Sequence, residues 1–488
     1  MRTLVLDGIF VYKDLEPFFN NERSIDLIFK KAQKNGFERF ILIQNGFITN
    51  VPEGIKNVVI KDKSPKSILE TILKEAKNTE DITIVNVGNP FYDVDFTAQL
   101  LERHEKYIAD YTYGLGYPDG LSPSIIRKDI IKELIPLIEN DGEIKKDYLF
   151  YAISKDINSF DIETILSDID LRIYRISFGC ADIGEEIFTL NLYNEFSGDL
   201  SIDEIVQYLN KNTDKFFTTI YLLILEITNY SKVGSLYYPE IKESRVELSI
   251  EKIKKFVDRL AGENSNLHVI LGGLGDPLEH PDFFNIVKYI TDKNLELIVE
   301  SNGYNIDDSF VEKLKNIPTD KITFVIKVDS YHEESYKMIH PEGNFGQIKN
   351  NIRLLKEAGY KIYRQITRMN ENEVEIENYI RNKDADNLII RKYSTFCDMI
   401  PDRKVVDLAP LERIPCFHLR REIFIRSDGN ITPCLYSRFK EIEIGNINDD
   451  SINVIDVMNR MNELYVDNSK KNYLEFCKKC NDYYIFNF

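Results

Sequence analysis

The chain has 488 residues, 43% apolar and 29% charged, with 28 Tyr and 29 Phe. This excludes disorder and a fibrous fold, and it exceeds the roughly 250 to 300 residues at which a single hydrophobic core stops growing. Lys and Arg number 62 against 80 Asp and Glu, a net charge of −18 that repels a phosphate backbone and makes nucleic acid a poor partner.

The start, MRTLVLDGIFVYKDLEPFF, lacks the basic segment, long apolar centre and small-residue cleavage site of a signal peptide. The longest apolar stretch, Phe216 to Ile227, is shorter than the ~20 residues a bilayer needs and contains Glu226. A cytoplasmic protein with no membrane span is expected.

Residues 1 to about 212 alternate short apolar runs with amphipathic stretches: RTLVL, SIDLIFKKAQKNG, RFILIQN, SILETILKEAKN, DITIVNV. That alternation predicts an α/β domain with a mostly parallel sheet. The polar stretch 194–215 around one amphipathic helix sets a boundary near 212.

A second series follows: strand 221–228, then helix 250–261 with Ser249 as N-cap and Gly262 beyond its end. Next come strand 267–271, a helix from near Pro281, strand 295–300, a helix near 308–316 and strand 321–328. Helix 345–358 between Asn344 and Gly359, strand 361–367, helix 373–382 and strand 387–393 complete it. Six β/α units with right-handed crossovers predict a partial (β/α)6 barrel over 213–400, its functional rim at the C-terminal strand ends. Residues 401–488 read as a small third domain. In EIFIRSDGNITPC, Asp428-Gly429 predicts a two-residue hairpin turn that sets Cys434 opposite about Ile423.

Cys416, Cys434, Cys477 and Cys480 all fall in that third domain, spaced C-x17-C and then C-x2-C. Four thiolates close around Zn²⁺ or a [4Fe-4S] cube, and the spacing leaves both open. Cys180 and Cys397 follow apolar runs and read as buried structural thiols. His268, His280, His332 and His340 are scattered, and none is assigned a catalytic role. His418 stands two residues after Cys416, beside the metal site.

At these residues the sequence resembles a radical SAM protein with a C-terminal SPASM or Twitch extension, specifically the Spiro-SPASM family. In the tail the resemblance rests on IPCFHLRREIFIRSDGNITPCLYSR, EIGNIND and CKKC. It implies one auxiliary [4Fe-4S] cluster on Cys416, Cys434, Cys477 and Cys480. In the barrel, ILGGLGDP is similar to the family's GG-x-G-E-P, with Asp276 where Glu is usual. The resemblance implies that Gly272, Gly273, Gly275 and Asp276 form the rim that receives the SAM ammonium. Ser301-Asn302-Gly303 and Asp329-Ser330 agree in register.

The family carries C-x3-C-x2-C after the first barrel strand, where three thiolates hold a [4Fe-4S] cluster whose open iron binds SAM. Here the segment reads ITNYSKVGSLYYPE, and the aligned positions are Ser231, Ser235 and Tyr238. The implied function is that of a non-catalytic or regulatory iron-sulfur protein. An oxidoreductase or SAM-binding enzyme that uses the auxiliary cluster alone is the alternative.

More faintly, residues 1–212 resemble the nucleotidyltransferase-like domain at the front of this family, through VGNPFYDVDFTAQLLERH, DYTYGLGYPDGLSP and DIETILSDID. The Gly-rich triphosphate loop is replaced by DGIFVYKD, and Gly88-Asn89-Pro90 stands where a metal aspartate is expected. Asp93, Asp95, Asp161 and Glu163 are the remaining Mg²⁺ candidates for a nucleotidyltransferase reading. No substrate or partner chain is named by the sequence.

Overall fold

The computed structural model describes residues 2–17, 21–138, 146–196, 200–264, 266–376, 387–405, 412–439, 442 and 444–483. They form two units, Met1–Phe216 and Phe217–Phe488, so the division falls four residues beyond the boundary expected near 212.

The first unit is a seven-stranded sheet of β1 (Arg2–Gly8), β2 (Phe37–Gln44), β3 (Ile55–Val59), β4 (Asp81–Asn86), β5 (Tyr111–Leu115), β6 (Ser124–Arg127) and β7 (Ile162–Leu166). The spatial order is β3-β2-β1-β4-β6-β5-β7. Pairs β1/β2, β1/β4, β2/β3 and β5/β7 are parallel, whereas β6 runs antiparallel to both its neighbours. The apolar runs read from sequence become β1, β2 and β4. One face packs Val5, Ile41, Ile43, Ile82 and Ile84 against Ile68, Leu69 and Ile72 of helix 65–75 and Ile131 and Leu134 of helix 128–137. Ser64 caps the first of these helices by accepting from Ser67 N, with Pro65 at the first helical position.

The second unit carries β8 (Leu222–Leu225), β9 (His268–Leu271), β10 (Glu296–Ser301), β11 (Ile322–Lys327), β12 (Lys361–Arg368) and β13 (Leu388–Lys392), all parallel and in sequential order. These are the six predicted barrel strands. The helix expected over 373–382 runs into residues after 376 that lie outside the described ones. Two details differ from expectation. Gly262 lies inside helix 250–263, because the turn is ended by Asn264, whose side chain donates to Ile220 O at 3.0 Å. A further helix, 333–339, follows β11 and was not read from the sequence.

The tail is not set apart from the barrel. β14 (Glu422–Ile425) pairs parallel with β8, and β15 (Asn430–Thr432) and β16 (Gly445–Asn446) extend the same sheet antiparallel. The hairpin register is Phe424 to Thr432 and Ile425 to Ile431, which closes a three-residue turn, Ser427 to Gly429, rather than the expected two-residue one. Gly429 takes the left-handed conformation (φ +89°) that such a turn requires. The extra residue shifts the register by one, so Cys434 lies in line with Glu422 and not Ile423. No helix among the described residues is long and apolar enough to cross a membrane.

Candidate functional site at the barrel rim and the cysteine tail

The segment ILGGLGDP leaves β9 and turns sharply because its glycines are pressed against backbone and acid side chains. A Cβ on Gly275 would stand 2.0 Å from Thr228 O, and one on Gly273 (φ +126°) would meet Glu226 at 3.0 Å. Gly272 donates its N–H to Leu225 O and faces Glu300. Asp276 ties this turn to the next strand. Its carboxylate accepts from Ser301 Oγ at 2.9 Å, Asn302 N at 2.8 Å and Leu278 N at 3.0 Å, while burial pushes its carboxyl above the ordinary range.

A cavity of about 440 Å³ opens at this rim. Ser231, Ser235 and Tyr238 all line it, together with Gly275, Asp276, Asn302 and Lys327. Gly272 and Gly273 are not among its lining residues. The three expected positions are therefore brought together with half of the glycine motif.

The two serine hydroxyls are engaged by the protein itself, whereas the buried Tyr238 hydroxyl has no hydrogen-bond partner. Ser231 Oγ donates to Val233 O at 2.8 Å and accepts from Asn302 Nδ2 at 3.0 Å. Ser235 Oγ lies 3.0 Å from His340 Nδ1, whose ring also reaches Gly234 O at 2.9 Å and, through Nε2, Asp329 Oδ2 at 2.9 Å. Asp329, fully buried, further accepts from Tyr237 OH at 2.7 Å and Thr367 N at 2.6 Å. The Tyr238 ring packs edge-on against Phe396, with the Lys327 ammonium 4.9 Å from its centre. Burial alone would lower the Lys327 ammonium, but the Tyr238, Glu300 and Asp276 oxygens around it turn the balance upward.

His340 is the functional-network residue that sequence reading missed. It ends helix 333–339, 105 residues from Ser235, and no local spacing marks it. Asp329 after β11 was noted, though without its histidine partner.

Behind the glycine turn, Glu226 is completely buried. It accepts from Arg438 Nε at 3.0 Å on both oxygens and from Leu274 N at 3.1 Å. This pair joins the end of the first barrel strand to the turn that follows Cys434.

In the tail, Cys416 caps helix 417–421 and donates its N–H to Asn468 Oδ1 at 2.9 Å. Cys434 N donates to Ser437 Oγ, and Cys477 sits in helix 475–479 with Cys480 just beyond it. Cys434 is in electrostatic reach of the other three thiols, and burial pushes Cys416, Cys434 and Cys477 up. Cys480 Sγ accepts from Asp482 N at 3.3 Å. The neighbouring Cys397 thiol pulls Cys480 down to about 6. Among the described residues, no three His, Cys, Asp or Glu side chains converge closely enough to hold a single metal ion.

His418 faces Glu422 Oε1 at 2.8 Å and Asp482 O at 3.1 Å, so it braces the segment that carries Cys480. Cys180 is buried in the first unit, as expected. Cys397 is buried as well, but it lies in one cluster with Cys434, Cys477 and Cys480.

The acid candidates of the first unit are spread out. Asp93 caps helix 94–107 and also accepts from Ile202 N at 3.0 Å, whereas Glu163 pairs with Arg103, about 15 Å further along that helix. Asp95 is exposed beside Asp93, and the Asp161 carbonyl accepts from Asp110 N.

Residues 229–382 match the model of the radical SAM superfamily, and residues 416–481 match SPASM, an iron-sulfur cluster-binding domain. An uncharacterised protein of Treponema pallidum (strain Nichols) is 25% identical over 366 residues, spanning 70% of this chain and 99% of that protein. An AdoMet-dependent heme synthase of Methanosarcina barkeri (strain Fusaro / DSM 804) is 27% identical over 131 residues, 27% of this chain and 36% of that one. Among solved structures, Streptococcus suis SuiB bound to S-adenosylmethionine has a TM-score of 0.43 at 13% identity, covering 62% of this chain and 87% of SuiB. The chain has the radical SAM–SPASM architecture, a radical SAM domain over 229–382 followed by an iron-sulfur SPASM domain over 416–481.

Proposed function

We propose that this protein holds one [4Fe-4S] cluster through Cys416, Cys434, Cys477 and Cys480, does not build the SAM-cleaving cluster, and acts as a non-catalytic or regulatory member of the superfamily. The observation that carries the reading is the cavity loop, in which Ser231, Ser235 and Tyr238 present hydroxyls where thiolates would be needed. A thiol ionises near ~8.5, tyrosine near ~10, and a serine hydroxyl stays protonated in neutral water. Iron-sulfur units are held by soft thiolates, so this donor set does not fit a cluster. The two serine hydroxyls are already committed to Val233, Asn302 and His340.

The tail fits a cluster. The iron-sulfur domain match spans all four cysteines, and an N–H directed at Cys480 Sγ is the kind of contact that supports a ligating sulfur. The four thiols lie near enough for Cys434 to feel the charge of the other three, and four thiolates satisfy a [4Fe-4S] cube or Zn²⁺ alike. When bound, the cluster would supply one-electron storage and a covalent tie between the hairpin and the C-terminal helix.

A second reading is favoured by the cavity. A ligand of adenosylmethionine type held at Gly275 and Asp276 would make the chain a SAM-binding protein or an oxidoreductase using the tail cluster alone.

The test is iron and sulfide quantification on anaerobically purified protein, followed by incubation with dithionite and SAM. About four irons per chain and no 5′-deoxyadenosine are expected. A second cluster's worth of iron, or formation of 5′-deoxyadenosine, overturns the proposal.

A further inference from the structure

Three neighbouring barrel strands turn polar side chains to one face. Lys327 of β11 is in register with Gln365 of β12, and Thr367, two residues on, is in register with Arg391 of β13. Register partners on parallel strands share a face, and so do residues two apart, so all four lie on the side where Lys327 lines the rim cavity. Lys327 is 3% exposed and Gln365 is completely buried.

The protein does not satisfy this layer. Both amide atoms of Gln365, Thr367 Oγ1 and the hydroxyl of Tyr238 are buried without a hydrogen-bond partner. The Lys327 ammonium stands 4.9 Å from the centre of the Tyr238 ring, and both residues line the cavity. Among the described residues Lys327 and Arg391 form no ion pair, and Arg391 donates only to Tyr436 OH at 2.9 Å. Folded proteins pair the large majority of their buried polar atoms, so four orphans beside two unpaired cations point to a ligand.

The acids at hand do not fill that role. Asp276 is taken up by Ser301, Asn302 and Leu278, Glu300 lies against Gly272, and Glu240 and Glu243 are exposed at the mouth. Their charges accept a ligand with one negative charge and repel a dianion such as phosphate. We infer that the rim cavity binds a small monocarboxylic acid, whose carboxylate accepts from the Lys327 ammonium and the Tyr238 hydroxyl, with the Gln365 amide beside it. The inference deepens the regulatory reading above and rests on it, since a cluster at the rim would occupy the same space.

The experiment uses full-length protein purified anaerobically, its iron counted, and titrated by isothermal calorimetry with benzoate, whose ring matches the apolar wall of Val233, Ile241 and Leu274. Benzamide, the uncharged isostere, and inorganic phosphate are titrated beside it. Saturable benzoate binding is expected, with benzamide and phosphate at least about tenfold weaker. Lys327→Met should weaken benzoate by at least about tenfold. Gln365→Glu, which sets a carboxylate beside Lys327, should do the same and carries the test if the first variant does not fold. Benzamide or phosphate binding as tightly as benzoate, an unchanged affinity in Gln365→Glu, or no benzoate binding at about four irons per chain overturns the inference alone. Iron for a second cluster, or 5′-deoxyadenosine formed with dithionite and SAM, overturns the reading of a cluster-free rim, and the inference falls with it.

Discussion

Replacing Glu226 by Ala separates the barrel from its tail at a single buried contact. The Glu226 carboxylate is fully buried and Arg438 is 2% exposed, with both carboxylate oxygens at 3.0 Å from Arg438 Nε and a further bond from Leu274 N. Removing one partner of a buried ion pair costs about 3–5 kcal/mol, because the other charge is left without compensation. Stranding Leu274 N adds about 1 kcal/mol or more. Glu243, 47% exposed and 3.6 Å from Arg438 Nη1, recovers part of this, so a net loss of about 4 kcal/mol is expected.

The chain has no Trp, so urea unfolding is followed by far-UV circular dichroism, with iron release marking the transition of the second unit. That transition should move down by more than about 1 M urea. Glu226→Met with Arg438→Met removes both charges together and should lose far less than the sum of the single variants. A loss below about 1 kcal/mol in Glu226→Ala would refute the assignment of this pair as the link between barrel and tail.

Gly275→Ala places a Cβ 2.0 Å from Thr228 O, and the backbone has to retreat by about 1 Å at a cost of about 2–3 kcal/mol. A fall in Tm of about 5 °C or more by scanning calorimetry is expected, and an unchanged Tm counts against the packing described. His340→Ala strips Ser235 and Gly234 of their partner and leaves Asp329 with Tyr237 and Thr367 alone, so loop 229–241 should be cut several-fold faster in limited proteolysis. Equal cleavage rates would show that the network does not hold the loop.

Asp7, partly buried at the end of β1, is raised by burial from the ordinary 3.8 to about 6. A carboxyl raised on folding binds its proton more tightly in the folded state, so this group's contribution to stability grows as pH falls from about 7 toward 4. Asp7→Asn should remove that dependence and add up to about 3 kcal/mol at pH 7, read from unfolding at pH 7 and pH 5. No gain at pH 7 would contradict it.

The barrel was legible because its strands are buried on both faces and read as apolar runs such as ITFVIK, separated by amphipathic helices of matching length. β3 was not, since only Ile55 of its five residues is fully buried and the edge position leaves no clear period. Gly262 misled because glycine usually follows a helix, yet here the side chain of Asn264 supplies the stop. The hairpin was recognised from Asp428-Gly429, but the turn length depends on the φ of Gly429 and its partner register, which the dipeptide does not encode. In the site, the four tail cysteines were found by spacing, and the three hydroxyl positions through the family resemblance. His340, Glu226 with Arg438, and the packing of Cys397 in one cluster with Cys480 are contacts across 83 to 212 residues, formed only when the strands close.

These long-range contacts bear on why a rim without thiolates keeps an open cavity. On the proposed reading this loop has no metal bonds to hold its shape, and hydrogen bonds hold it instead. Asn302 holds Ser231 and the Val233 carbonyl, while His340 holds Ser235 and the Gly234 carbonyl. Asp329 gathers His340, Tyr237 and Thr367 into one buried node. Each neutral bond contributes only about 1 kcal/mol, and those to the buried carboxylate somewhat more, so the network matches the demands of shape without those of electron transfer. Under the proposed function, a binding or regulatory role would use this retained cavity, and any redox function would fall to the sulfurs of the tail.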